Sequence, residues 1–120
     1  SEEFAFTKGL EATASRVRNL ADLGVRNSRI PHVGWNLVNL SGKLSSSHPL
    51  RKIENRHVYF MHSYAVPYEA PSQIGWTNHE VDFCSALQIN NALGVQFHPE
   101  KSHKVGMDFL AAWVKRSNCN

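Results

Sequence analysis

Residues 94–102 read GVQFHPEKS, and the order of residue types in that stretch decides how the whole chain is read. Leu93, Val95 and Phe97 alternate with Gly94, Gln96 and His98, the period of a strand whose successive side chains point to opposite faces. Pro99 has no amide hydrogen and a fixed φ, so a strand running from Ala92 to Phe97 stops there. His98 and Glu100 are then held two residues apart at a strand end. A carboxylate in that place can accept the Nδ1 hydrogen of the imidazole, fix its tautomer and leave Nε2 as a base. This is the base-and-orienter part of a nucleophilic triad. Taken by itself, the triplet also fits a strand-end histidine with purely structural hydrogen bonds.

Working outward from that stretch, Ser102 suits a helix N-cap. Val105, Phe109, Leu110, Trp113 and Val114 recur at three- and four-residue spacing, which predicts one apolar stripe on a closing helix. Lys115 and Arg116 fall in its last turn, where the helix dipole favours cations. Upstream, Val81, Phe83, Ser85, Leu87 and Ile89 alternate with Asp82, Cys84, Ala86 and Gln88. Asn90 and Asn91 then predict a tight turn into the return strand, because Asn tolerates positive φ. Residues 57–66 (HVYFMHSYAV) form a near-continuous apolar and aromatic run, which predicts a strand buried on both faces. Residues 41–56, with the run Ser45-Ser46-Ser47 and Pro49, read as loop. Residues 30–38 (IPHVGWNLV) read as a short strand that Pro31 confines to an edge or a strand start. The first 29 residues are weakly patterned, with short strand or turn segments around Gly9 and Gly24. The expectation is one domain over residues 1–120, mostly strands with a closing helix and no internal repeat.

Composition narrows the function classes. At 120 residues, with 42% hydrophobic and 19% charged residues, the chain can bury a core and is not a disordered segment. The formal charge of +3 is modest. Lys8, Arg16, Arg18, Arg26 and Arg29 are spread out rather than run together, so nucleic acid is not the expected partner. Two cysteines, Cys84 and Cys119, form no CxxC pair and no disulfide framework. No apolar run reaches membrane-spanning length and the start is acidic, which leaves the cytoplasm as the expected location. Seven histidines raise the question of a metal. His62, His79, His98 and His103 could converge, but no HxH, HExxH or Cys/His spacing is present, so neither a metal nor another cofactor is expected.

Three stretches in order, residues 31–36 (PHVGWN), 59–64 (YFMHSY) and 94–102 (GVQFHPEKS), resemble the class I, or triad, glutamine amidotransferases. Within that family they resemble the glutaminase subunit of imidazole glycerol phosphate synthase and its paralogues in surface-sugar pathways. The resemblance implies an α/β fold of which this chain carries the C-terminal half. It implies that His98 and Glu100 match the triad His and Glu. His62, Ser63 and Tyr64 match a segment lining the glutamine site, and Glu3 matches an acidic residue near the substrate's amino group. Trp35 and Asn36 match a surface that faces a cyclase partner near an ammonia passage.

The departures matter equally. The family's nucleophile elbow, of the form GxCxGxQ, has no counterpart in these 120 residues, nor has its glycine-rich oxyanion strand. Residues 9–17 (GLEATASRV) lack glycines that the family carries after Gly9. Cys84 stands inside a strand pattern, where a buried inert thiol is expected, and Cys119 belongs to the C-terminal tail. Without a thiolate there is no thioester and His98 has nothing to deprotonate. The expected function is therefore a binding or assembly module that is non-catalytic alone. The alternative is the C-terminal part of an active, ammonia-donating subunit whose nucleophile half lies elsewhere. Sheet edges and apolar faces left without the first half predict a homo-oligomer, or docking on the cyclase or on the nucleophile half.

Overall fold

The computed structural model describes residues 17–70 and 72–118. Eight strands precede one long helix: β1 (Arg18–Asn19), β2 (His32–Asn36), β3 (Asn39–Leu40), β4 (Val58–His62), β5 (Tyr64–Pro67), β6 (Gln73–His79), β7 (Val81–Ile89) and β8 (Ala92–Val95), then α1 (His103–Asn118). Two short 3-10 helices, Pro49–Ile53 and Pro99–Lys101, complete the described chain. This is the expected plan of strands closed by a C-terminal helix, and every strand pairing among the described residues is antiparallel.

β7 organises the larger sheet. β6 runs along one of its edges, while β5 and β8 share the other. With neighbours on both edges, residues 83–87 are buried throughout. The strict alternation expected along this strand holds only in part. Phe83 and Ala86 join the main core, whereas Cys84 and Leu87 pack with Val66 in a smaller one. The change falls where β6 bulges at Gly75, opposite Ala86, and a bulge re-aims the residues around it. Asn90, at φ 55°, makes the expected turn into β8. β8 ends at Val95, two residues before the predicted end.

The run 57–66 is two strands rather than one buried on both faces. β4 pairs with β2 in a separate two-stranded ribbon, while β5 belongs to the main sheet. The break is at Ser63, whose carbonyl accepts the Leu20 amide at 2.8 Å. β4 alternates: Val58, Phe60 and His62 are buried, while Met61 faces out. Among the described residues β2 pairs only with β4, and it is the edge strand that Pro31 implied.

The predicted loop 41–56 contains a 3-10 helix whose Leu50 and Ile53 are fully buried in the main core with Phe109 of α1. Pro49 starts this turn instead of breaking it, since the first helical position needs no amide hydrogen. His48 caps the turn: Nδ1 accepts the Leu50 amide at 3.0 Å, and Nε2 donates to Gln88 at 2.6 Å. On α1, Val105 and Phe109 are buried and Leu110 and Trp113 half-buried, but Val114 is exposed and drops out of the predicted stripe.

Candidate functional site

β4 carries the site on its edge opposite β2. The Tyr59 carbonyl accepts the His98 amide at 2.8 Å, and the Tyr59 amide donates to the Ser102 hydroxyl at 2.9 Å. That hydroxyl in turn donates to the His98 carbonyl at 2.7 Å. Ser102 is fully buried and its hydroxyl works as a staple between β4 and the turn after β8, while its carbonyl, directly before α1 at the expected N-cap position, accepts the Gly106 amide at 3.2 Å. Gly106 lets α1 lie against the same turn, because a Cβ there would stand 1.9 Å from the Pro99 carbonyl oxygen. The sequence pattern singles out Ser102 as a helix cap alone and does not single out Gly106. The close spacing of Ser102 and Gly106 to the HPE triplet was the only signal.

Within this frame His98 Nδ1 lies 3.1 Å from a Glu100 carboxylate oxygen. The carboxylate accepts only, so it selects the tautomer with the proton on Nδ1 and the lone pair on Nε2. The Met61 carbonyl is 3.4 Å from Nε2. A lone pair facing a carbonyl makes no hydrogen bond, but an imidazolium would donate to Glu100 on one side and to Met61 on the other. The ring can therefore accept a proton and hold the resulting charge between two acceptors. His98 is 24% exposed and Glu100 61%, so the pair is accessible and its electrostatic contribution to stability is small.

The other expected site residues divide. His62 points inward: it is 1% exposed, with Nδ1 at 2.9 Å from the Tyr64 carbonyl and Nε2 at 2.9 Å from His32 Nδ1. Its neighbour Met61 faces outward beside His98, and Tyr64 is exposed. Ser63 is half-buried at the break between β4 and β5. Glu3 and residues 9–16 lie outside the described residues. Trp35 is 45% exposed, stacks on His103 at 5.3 Å and meets Tyr59 edge-on at 5.8 Å. Asn36 turns its amide inward, donating to the Asn78 carbonyl at 2.9 Å. Antiparallel register places Val33 opposite Met61 and Trp35 opposite Tyr59, so Val33, Trp35 and Met61 form one outward apolar face.

The histidines gather differently from the expected set. His62 and His79 each meet His32, which lies 2.9 Å from the His62 ring nitrogen and stacks on His79 at 4.1 Å. His98 and His103 stand apart from them on the Pro99 turn and at the start of α1. Among the described residues no group of three His, Cys, Asp or Glu could hold a metal ion. Cys84 is fully buried, and burial pushes its thiol up to about 12.

A His–Glu pair on the turn after β8, held beside a strand carbonyl, in this order of motifs, defines a class of protein. The model of the class I glutamine amidotransferases matches residues 9–115, and the chain belongs to that family. Its relatives specify the branch. It is 47% identical over 90 residues to imidazole glycerol phosphate synthase subunit HisH 2 of Methanococcus maripaludis, covering 74% of this chain and 44% of that protein. It is 40% identical over 114 residues to subunit HisH of Halalkalibacterium halodurans, covering 92% and 52%. It is 39% identical over 119 residues to subunit HisH of Geobacillus thermodenitrificans, covering 95% and 54%. The chain thus carries a HisH-like amidotransferase domain and spans about half the length of the relatives it matches. No described helix is long and apolar enough to cross a membrane.

Proposed function

We propose that this chain carries the base half of a glutamine-hydrolysing site and that these 120 residues, by themselves, bind and assemble without turning glutamine over. The observation behind the proposal is the 3.1 Å contact between His98 and Glu100 beside a protein core whose one described thiol, Cys84, is sealed. Hydrolysis of a carboxamide by this family's chemistry needs a cysteine sulfur. His98 Nε2 would take the thiol proton, the thiolate would attack the amide carbon, and the imidazolium would return the proton to the departing ammonia. Water, deprotonated by the same Nε2, would then cleave the thioester. Glu100 orients the ring throughout. Glu3, Ser63, Tyr64 and the His62 backbone belong, in this reading, to the wall that receives glutamine. Trp35, Asn36, Val33 and Met61 belong to the assembly surface, with a cyclase subunit or a second copy of the chain as its partner.

An intact His98–Glu100 pair also favours a second reading, since a pure binding module has no use for an oriented imidazole. Here a nucleophile-bearing segment from elsewhere completes an active glutaminase.

One experiment weighs both readings. Ammonia release from glutamine is measured for the chain alone, then after mixing with the nucleophile-bearing half of a HisH relative. The chain alone should stay at background, and steady release abolished by His98→Ala would overturn that expectation. Recovery on mixing, lost in both His98→Ala and Glu100→Ala, would establish the complementing role. Sedimentation at micromolar concentration tests assembly: Trp35→Glu and Met61→Glu should shift an oligomer towards monomer. A concentration-independent monomer before mutation removes self-association.

A further inference from the structure

The tertiary structure concentrates charge that the sequence spreads out. Where the Pro49–Ile53 turn packs on α1, Arg51, Lys52, Arg56, Lys104, Lys115 and Arg116 stand against two carboxylates, Glu54 and Asp108. That local excess is larger than the formal +3 of the entire chain. Both carboxylates are committed: Glu54 pairs with Arg51 at 2.9 Å, and Asp108 pairs with Arg56 at 3.3 Å and Lys104 at 3.2 Å. Lys52, Lys115 and Arg116 have no carboxylate partner among the described residues. All three line one groove of about 610 Å³.

Helix geometry explains the groove. Asp108, Ala111, Ala112, Lys115 and Arg116 follow one another at helical spacing, so a single face of α1 presents them. Ala111 and Ala112 make a shallow apolar floor, because larger side chains there would fill it. Lys52 approaches from the turn opposite. The dipole of α1 favours Lys115 and Arg116 at its C-terminal end, but it gives no reason for Lys52 to face them. His48, which caps that turn, registers the same field. Burial holds it below its usual value, and the Arg116 and Arg51 charges act in the same direction, against a raising bond from Gln88.

We infer that this groove is a binding site for a small phosphate-bearing anion of two or more negative charges, gripped by Lys52, Lys115 and Arg116 over the Ala111–Ala112 floor. Its volume falls in the range of small-molecule sites. One guanidinium fork with two ammonium groups suits phosphate oxygens better than a single carboxylate, which could meet only part of the set. The groove uses none of the residues of the His98 site, so its ligand would act as an effector.

Inorganic pyrophosphate is the probe. Titrated into the 15N-labelled chain at low salt, it should give saturable shifts centred on residues 111–116 and Lys52, with a dissociation constant below about 1 mM. Binding should weaken at least about tenfold in Lys52→Glu and in Arg116→Glu, remain in Lys43→Glu, and fall with added salt, because salt screens exposed charges. Unsaturable shifts shared by all surface lysines would overturn the inference. So would unchanged binding in both groove variants, or binding of a single-stranded oligonucleotide with none of pyrophosphate. Should either charge reversal unfold, Lys52→Gln and Arg116→Gln, checked for native circular dichroism, carry the same test with the same outcomes.

Discussion

His32 Nδ1 lies 2.9 Å from His62 Nε2, and the direction of every proton around this contact is set by what lies at its ends. The Tyr64 carbonyl can only accept, so His62 carries its proton on Nδ1 and receives the His32 proton at Nε2. His32 Nε2 is then an acceptor, and the Asn36 amide nitrogen faces it at 3.4 Å. A file of polar groups thus runs from Asn36 through the buried ribbon to Tyr64, linking the outward Trp35–Asn36 segment to the strand break beside the His98 site. His79 stacks on His32, and its Nε2 donates to the Arg29 carbonyl at 2.8 Å.

This arrangement works with His32 neutral, which makes folding stability depend on pH. Burial holds His32 down to about 3, and the neighbouring His62 and His79 charges add to the effect. Between about 3 and the ordinary value near 6.5 the unfolded chain binds a proton that the folded chain refuses. Stability from this group is therefore complete above about 6.5 and is lost as pH falls, with a slope of at most about 1.4 kcal/mol per pH unit. Urea unfolding at pH 7.5, 6, 5 and 4 measures it. His32→Phe should be less stable at pH 7.5 yet show a shallower fall with pH; equal slopes would mean His32 does not refuse the proton.

Cys84 should be chemically silent in the folded state. Its thiol is fully buried, donates to the Ala86 carbonyl at 3.4 Å and is raised to about 12. A Cys119→Ser variant, in which Cys84 is the remaining thiol, should resist iodoacetamide at pH 8 and react completely in denaturant. Rapid native labelling, or capture by a glutamine-mimicking electrophile, would show that the thiol can be reached.

Gly106→Ala should disturb the site without touching His98 or Glu100. The added Cβ would fall 1.9 Å from the Pro99 carbonyl oxygen, a backbone atom that can yield only if the turn or α1 shifts. Overpacking of this kind costs about 1–3 kcal/mol. Thermal unfolding gives the stability loss, and NMR of the His98 ring reports whether the Glu100 contact persists.

Ser102→Ala removes a hydroxyl that bridges the Tyr59 amide and the His98 carbonyl. It leaves a part-buried amide without its acceptor, a loss of about 1 kcal/mol or somewhat more. Ser102→Thr keeps the hydroxyl, so it should recover part of that stability. Chemical denaturation of the two variants side by side decides whether hydroxyl chemistry or simple side-chain volume matters here.

Local pattern by itself determined several features of this protein. Pro99 opens the 3-10 turn that sets His98 beside Glu100, the Asn90–Asn91 pair turns β7 into β8, and a 3.6-residue period makes α1. Each follows from constraints acting within a few residues, as does the run of motifs that marks the family. Tertiary structure decided the rest. The run 57–66 splits at Ser63 because its two halves find partners in different sheets, and no local period encodes which edge a strand will meet. Leu50 and Ile53 become core only because α1 returns to cover them. His32 joins His62 through strand register across 30 residues, and Lys52 faces Lys115 and Arg116 through packing of a turn on a helix. Those contacts are non-local, and their identity depends on how whole elements dock rather than on the residues beside them in the chain.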